Sequence, residues 1–305
     1  MSPPRNSALG APDAEPLLRP LSPRSVIASL LLGMHPPRAR AALLVRWCAH
    51  LGIAEGTTRV ALSRMLEAGE LRARDGRYEL AGRLRRRQPG QDWSLAPASL
   101  PWDGEWVLWF VRPGSRRAPA RAELRRAAAA ARLAELRDGV WGRPANLPPE
   151  ATPPAALETL TEQASDWSGR PAPGSEPAPE LFGLAAASAR ARTLLGRLEP
   201  VTSALEHGDG SGLGEAFALG AATLQQIRRD PLLPPALAGA DWPGAELRAA
   251  YSRYQAAFAA ALAGWFAAGA GAGAGEGAGV PARPEHTLGA PVTTARDPAA
   301  RAPWR

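Results

Sequence analysis

Between residues 21 and 91 the apolar positions recur at intervals of three and four, broken by Pro and Gly at regular points. Ser22-Pro23 has the form of an N-cap followed by a first helical residue, and Val26, Ile27, Leu30 and Leu31 follow at helical spacing. Pro37 opens a second predicted helix in which Leu44, Trp47 and Leu51 share a face, and Gly52 supplies a left-handed end. Ile53 plugs the turn. A third helix is predicted over 55–68, closed by Gly69. After Leu71, residues 72–80 read as a short hairpin whose Asp75-Gly76 pair provides the positive φ angles of a two-residue turn. Helix, helix, helix, hairpin is the order of a winged helix-turn-helix.

Further on the pattern changes. Residues 107–111 are a continuous apolar run of buried-strand type, and 121–136 read as an Ala-rich helix. After Pro144 the stretch ANLPPEATPPAALETLTEQASDW carries no strand pattern. Asp230-Pro231 and Asp241-Trp242-Pro243-Gly244 read as turns in which Asp caps the backbone and Pro fixes φ. The chain divides into a disordered leader (1–20), a basic winged helix module (21–91), a linker at 97–101 and a mixed α/β segment (102–168). A Pro-rich break (169–180), a helical segment (181–266) and a Gly-Ala-rich disordered tail (267–305) follow. The fold class expected is α+β.

Composition narrows the setting. The 305 residues are 45% apolar, enough for a core in each segment, and no apolar run reaches the length of a membrane helix. The N-terminus lacks the form of a signal peptide, and Cys48, the single cysteine, cannot make an internal disulfide; both point to the cytoplasm. Between Trp47 and Ala49 that thiol reads as a small core residue.

Charge changes the picture most. Residues 19–91 hold fourteen Arg and five acids, a balance of +9, while the other 22 Arg and 24 acids sum to −2 of the total +7. The third predicted helix has Leu62, Met65 and Leu66 for a core, and its other face carries Thr57, Thr58, Arg59, Ser63 and Arg64. In a major groove, Arg forks onto guanine and short hydroxyl side chains reach phosphates or base edges. Arg72, Arg74 and Arg77 of the hairpin suit a neighbouring phosphate backbone, and Gly56 leaves the helix N-terminus open to a phosphate. The run Arg83-Leu84-Arg85-Arg86-Arg87 is either a further phosphate clamp or a solvated linker end. Trp102, Trp106, Trp109 and Trp141 offer either a stacking surface or core anchors, with core the stronger reading.

A metal-dependent nuclease is the competing class. It requires converging carboxylates, for which Asp103, Glu105 and Asp138 are the candidates. His35, His50, His207 and His286 are scattered without ligand spacing, and no Ser-His-Asp, Walker or Rossmann pattern occurs. No catalytic residue, metal or cofactor is expected.

The segment GIAEGTTRVALSRMLEAGEL with its short wing resembles the N-terminal domain of the PaaX family of bacterial transcriptional repressors, named for the regulator of phenylacetate degradation. Two later stretches are similar to the same family: WDGEWVLWFVRP with DGVWGRP in the centre, and RRDPLLPPALAGADWPGAELRAAYSRY near the C-terminus. The resemblance implies a ferredoxin-like central domain, a helical C-terminal domain and a homodimer on a double-stranded DNA operator. It further implies release by an acyl-CoA-type effector, an aryl-CoA thioester such as phenylacetyl-CoA. The chain departs from the family after Pro144, and near the start of the C-terminal segment it has Phe182, Leu184 and Arg190 where Trp and Tyr are usual.

Overall fold

The structure, a computed structural model, describes residues 21–114, 117–172 and 174–271. The expected leader lies outside these residues, as does the tail from 272 onward.

Helix α1 (Pro23–Leu32) begins as its sequence predicts: the Ser22 hydroxyl accepts from the Ser25 N–H at 3.2 Å, and Val26, Ile27, Leu30 and Leu31 are buried. Pro37, however, does not open a helix. The chain first runs extended as β1 (Arg38–Arg40), and α2 (Ala41–His50) follows. The cause lies elsewhere in the chain. Strand β3 (Arg77–Leu80) pairs on one side with β2 (Leu71–Arg74) and on the other with β1, so the hairpin is the larger part of a three-stranded sheet in the order β1-β3-β2. Helix α3 (Glu55–Glu67) is bracketed by Gly52 at φ 76° and Gly69 at φ 64°, and the hairpin turn has Asp75 at φ 51° and Gly76 at φ 69°. Those angles suit the Asp-Gly pair, because Gly has no Cβ to clash and Asp tolerates the left-handed region. The basic run lies in α4 (Gly82–Leu95), where Gln88 Nε2 donates to the carbonyls of Leu32 and Met34 at 3.2 and 3.1 Å and ties α4 to the end of α1.

The central unit runs β4 (Trp106–Val111), α5 (Ala118–Ala130), β5 (Ala134–Arg137), β6 (Val140–Pro144), α6 (Pro154–Gln163), β7 (Ala164–Gly169), with an antiparallel sheet in the order β5-β6-β4-β7. Two expectations fail here. The Ala-rich helix stops at Ala130; Arg132 turns at φ 59° and the chain enters β5, since pairing with β6 outweighs the helix propensity of Ala, Glu and Leu. A strand also exists where none was visible: β7 pairs with β4 along its whole length, from Trp106↔Gly169 to Val111↔Ala164. As an edge strand it buries Ala164 alone and leaves Trp167 67% exposed, so alternation of apolar and polar residues is missing from its sequence. Trp106 and Trp109 are buried and the Trp102 indole donates to the Glu105 carbonyl at 2.6 Å, which places these rings in the core and its margin.

Helices α7 (Leu184–Glu206), α8 (Leu213–Arg229), α9 (Pro235–Ala238) and α10 (Gly244–Gly271) complete the fold, with α10 running five residues past the expected end of the helical segment. A Cβ at Gly220 would collide with the Tyr254 ring, whose hydroxyl donates to the Ala216 carbonyl at 2.7 Å; the glycine lets α8 and α10 approach. The N-terminal and C-terminal segments are not separately cored. Trp47 of α2, fully buried, meets Phe217 of α8 edge-on at 5.4 Å and Trp265 of α10 at 5.5 Å, within one cluster that also holds Ile27, Leu44, Met65, Leu194 and Leu198. Arg46 seals the seam by donating to the Trp265 carbonyl at 2.6 Å with its guanidinium 4.2 Å above the indole centroid.

Candidate nucleic-acid interface

On α3 the core side is Leu62 and Met65, with Leu66 half-buried. Thr57, Arg59, Ser63 and Arg64 are exposed on the outer side. Thr58 is not. It is fully buried, its hydroxyl donating to the Ala54 carbonyl at 3.2 Å, and it lies against Cys48, so it serves the turn before the helix and cannot face DNA. Each residue advances a helix by about a hundred degrees, and Thr58 falls on the stripe of Leu62 and Met65 four and seven positions on. Burial pushes the Cys48 thiol above its usual value, as for a core cysteine.

Val60 was passed over by pattern reading and stands 51% exposed between Arg59 and Arg64. An apolar side chain among donors on a groove-reading face can meet a thymine methyl. Glu55 holds the Arg59 guanidinium at 2.5 Å across one turn, whereas Arg64 has no partner among the described residues.

The small sheet contributes a second surface. Directly opposed residues share a face, so Arg38, Glu79 and Arg72 form one row and Arg40, Arg77 and Arg74 form the next, on the same side of the sheet. Five guanidiniums surround one carboxylate. Arg72 pairs with Glu79 at 3.0 Å, and the hydrogen bond from Arg72 holds the Glu79 carboxyl below its ordinary value. In the second row Arg74 reaches only the adjacent Asp75, at 3.6 Å, and Arg40 and Arg77 have no partner among the described residues. Like charges in register oppose sheet formation, and a phosphate between them reverses the sign. Arg38 and Arg40 were absent from the expected site because their segment was read as the start of a helix.

A buried carboxylate fixes the angle of these two surfaces. Glu70, in the turn between α3 and β2, accepts from Arg24 of α1 through two bonds of 2.7 Å and from Arg83 of α4 at 2.5 Å. Hydrogen bonding from Arg24 depresses its carboxyl, and Arg83 adds to the effect. A groove of about 520 Å³ runs beside this clamp, lined by Thr57, Val60, Arg64, Ser22 and Arg83. Of the basic run, Arg83 is thereby assigned a structural partner.

The acids required by a nuclease do not converge. Asp103 caps the Glu105 N–H and pairs with Arg170 at one end of β4, while Asp138 lies in the turn at the other end, where Val111 N donates to Gly139 O. A six-residue strand puts roughly 17 Å between those ends. No group of three or more metal-ligating side chains occurs among the described residues.

A helix face and a sheet face that present cations together, on a chain none of whose described helices is long and apolar enough to cross a membrane, define the class of a DNA-binding regulator. Comparison with known proteins gives the family. The model described as PaaX-like protein matches residues 22–84, and that described as PaaX-like protein C-terminal domain matches residues 182–268. A solved structure of an uncharacterized protein from Mycobacterium tuberculosis, Rv0674, is 36% identical, with a TM-score of 0.60, over 80% of this chain and 99% of that one. No curated protein matches. The chain belongs to the PaaX-like family, whose members are transcriptional regulators and not catalysts.

Proposed function

We propose that this chain is a sequence-specific, cytoplasmic transcriptional repressor that binds a double-stranded operator as a homodimer and is released by a small-molecule effector of the acyl-CoA type. The outer face of α3 reads bases with Thr57, Arg59, Val60, Ser63 and Arg64. Arg72, Arg74 and Arg77 of the wing, joined by Arg40, hold the adjacent backbone. The observation that carries the reading is the Arg40, Arg77, Arg74 row beside an α3 face with an unpartnered Arg64. A winged helix is supported by the pairing of a strand ahead of α2 with the hairpin after α3. A ferredoxin-like central unit is supported by the β-α-β-β-α-β order and the sheet order β5-β6-β4-β7.

The test is a gel shift on the intergenic DNA beside the gene, across a salt series, for wild type and Arg59→Ala/Arg64→Ala. Wild type prefers one fragment; the double variant keeps weak, salt-sensitive binding to all fragments and loses the preference. Equal binding of both proteins to every fragment defeats the reading. For the effector, a thermal-shift panel of acyl-CoA thioesters is decisive, since a ligand of the native state raises the midpoint and a flat panel removes the thioester.

A further inference from the structure

A cleft of about 1530 Å³ opens between α1, α4, α8 and α10. It exceeds the usual span of small-ligand cavities, roughly 300–1,000 Å³. Its long walls are apolar, with Phe217 on α8 and Phe258, Ala259 and Leu262 on α10. Along α8 the lining runs from Phe217 to Arg229, roughly 18 Å at helical rise, with Arg228 about 16 Å from Phe217. Arg87 of α4 and Arg228 of α8 both enter the lining, and no Asp or Glu does so among the described residues.

Neither cation has a carboxylate beside it. Arg87 and Arg228 have no hydrogen-bond or ion-pair partner among the described residues, and Arg87 stands within repulsive reach of Arg24 and Arg83. Burial, and then Arg87, Arg132 and Arg229, push the Arg228 guanidinium down to about 10. A guanidinium stays charged at neutral pH, so the fold bears this repulsion in its free state. Other arginines of the molecule have acceptors: Arg248 meets Asp230 at 2.5 Å, and the buried Arg132 and Arg143 donate to backbone carbonyls, Ser94 and Asn146, whereas the exposed Arg87 and the half-buried Arg228 face other cations. A cleft lined by Arg24, Arg40, Arg87, Arg228 and Arg229 and by no acid among the described residues is a place where an anion from outside offsets the repulsion.

We propose that this cleft binds a small anionic amphiphile, whose phosphate or carboxylate head is held by Arg87 and Arg228 and whose apolar body lies along Ala221, Leu224 and Tyr251. Guanidinium forks suit either head group through paired hydrogen bonds. The ligand would touch α1 and α4, which carry the Glu70 clamp through Arg24 and Arg83, and at the same time α8 and α10. Differential binding to two arrangements of these helices would couple the cleft to the DNA face. The inference rests on the regulator reading for that consequence only, because binding itself is measured without DNA.

The experiment uses the full chain, free of DNA, in thermal melts and calorimetric titrations with 2-naphthyl phosphate, 2-naphthoate, 2-naphthol and inorganic phosphate. At least one naphthyl anion binds saturably and raises the midpoint, and naphthol and inorganic phosphate each bind at least about tenfold more weakly; the tighter of the two anions identifies the head group. Arg87→Gln/Arg228→Gln weakens that ligand by about tenfold or more with an unchanged far-UV spectrum. Ala221→Phe narrows the cleft without touching a charge and weakens it as well, so it decides the matter if the arginine variant does not fold. The proposal is overturned if neither anion binds, if naphthol binds as tightly as the anions, or if binding survives a folded variant. Failure of the gel shift with success here would remove the DNA reading and leave the cleft.

Discussion

The core that joins the N-terminal head to the C-terminal helices is built from large side chains: Trp47, Ile27, Leu31, Leu44, Met65, Leu194, Leu198 and Leu219 are all fully buried. The core beneath the central sheet is of another kind. Beside Trp109, Leu124, Leu133 and Leu160 it consists of Ala127, Ala128, Ala131, Ala156 and Ala164. Alanine removes little apolar area from water, so the central unit has the weaker hydrophobic drive for its size. Beside the contact of Trp106 with Phe182, it is attached by directional polar contacts. Arg132 donates to the carbonyls of Asp230 and Ala151 at 3.0 and 3.3 Å and to Ser94 Oγ at 3.2 Å. Asn146 accepts from Arg143 at 2.9 Å and donates to the Leu232 carbonyl at 2.8 Å. Burial, followed by Arg132, pushes the Arg143 guanidinium down to about 9. The comparison teaches that head and C-terminal helices share one core, while the central unit is docked by a few geometrically strict bonds and the contact of Trp106 with Phe182.

The largest effect should come from Trp47→Ala. Loss of a fully buried indole at the seam should cost about 3–5 kcal/mol and loosen α2, α8 and α10 together in urea titrations. Two separate transitions in the wild-type protein, one for the head and one for α7 to α10, would break the shared-core picture.

Next comes Asp230→Ala. Asp230 accepts from Arg248 and caps the Leu232 N–H at 2.9 Å, so its removal leaves Arg248 buried without a carboxylate and should cost about 3 kcal/mol. Limited proteolysis should then cut the central unit first. Cleavage that begins in the head would contradict the docked-part view. Gly244→Ala should share the phenotype, because a Cβ there collides with Asp230 and Trp242.

Glu70→Gln sharpens the picture of the head at about 1–2 kcal/mol, the scale of charge-assisted hydrogen bonds to partly exposed guanidiniums. The Glu70 carboxyl is depressed in the folded state, so its stabilisation is complete above the ordinary carboxylate range and is lost as pH falls through the folded value. Stability measured from pH 7 to pH 3 should fall less in the variant than in wild type, and equal acid sensitivity would show that the clamp contributes nothing. The smallest effect is that of Arg40→Ala, which should lower the slope of log affinity against log salt by about one unit and leave fragment preference intact.

Much of the head is legible in its sequence. Ser22-Pro23, Gly52, Gly69 and Asp75-Gly76 each impose a backbone conformation through their own covalent structure, and all are where the pattern put them. The basic surface was legible as a charge density, although its membership was not. Thr58 was lost to the core by its angular position, Val60 was gained, and Arg38 and Arg40 came in with a strand that exists only because β3 is there to pair with it. The same holds for β7, whose partner β4 lies more than fifty residues earlier.

By itself, then, the sequence determined the local punctuation, the segregation of positive charge into residues 19–91, and two motif stretches, near either end, that fall where the family models match. The tertiary structure alone decided that the first and last segments share a core, that Glu70 draws Arg24 and Arg83 to one point, and that Asp230 and Gly244 belong to one clamp. The physical reason is range. Caps, turns and helix periodicity act over a few residues and leave a trace in the order of side chains, whereas a cross-chain ion pair or an edge strand depends on which distant segment arrives to meet it.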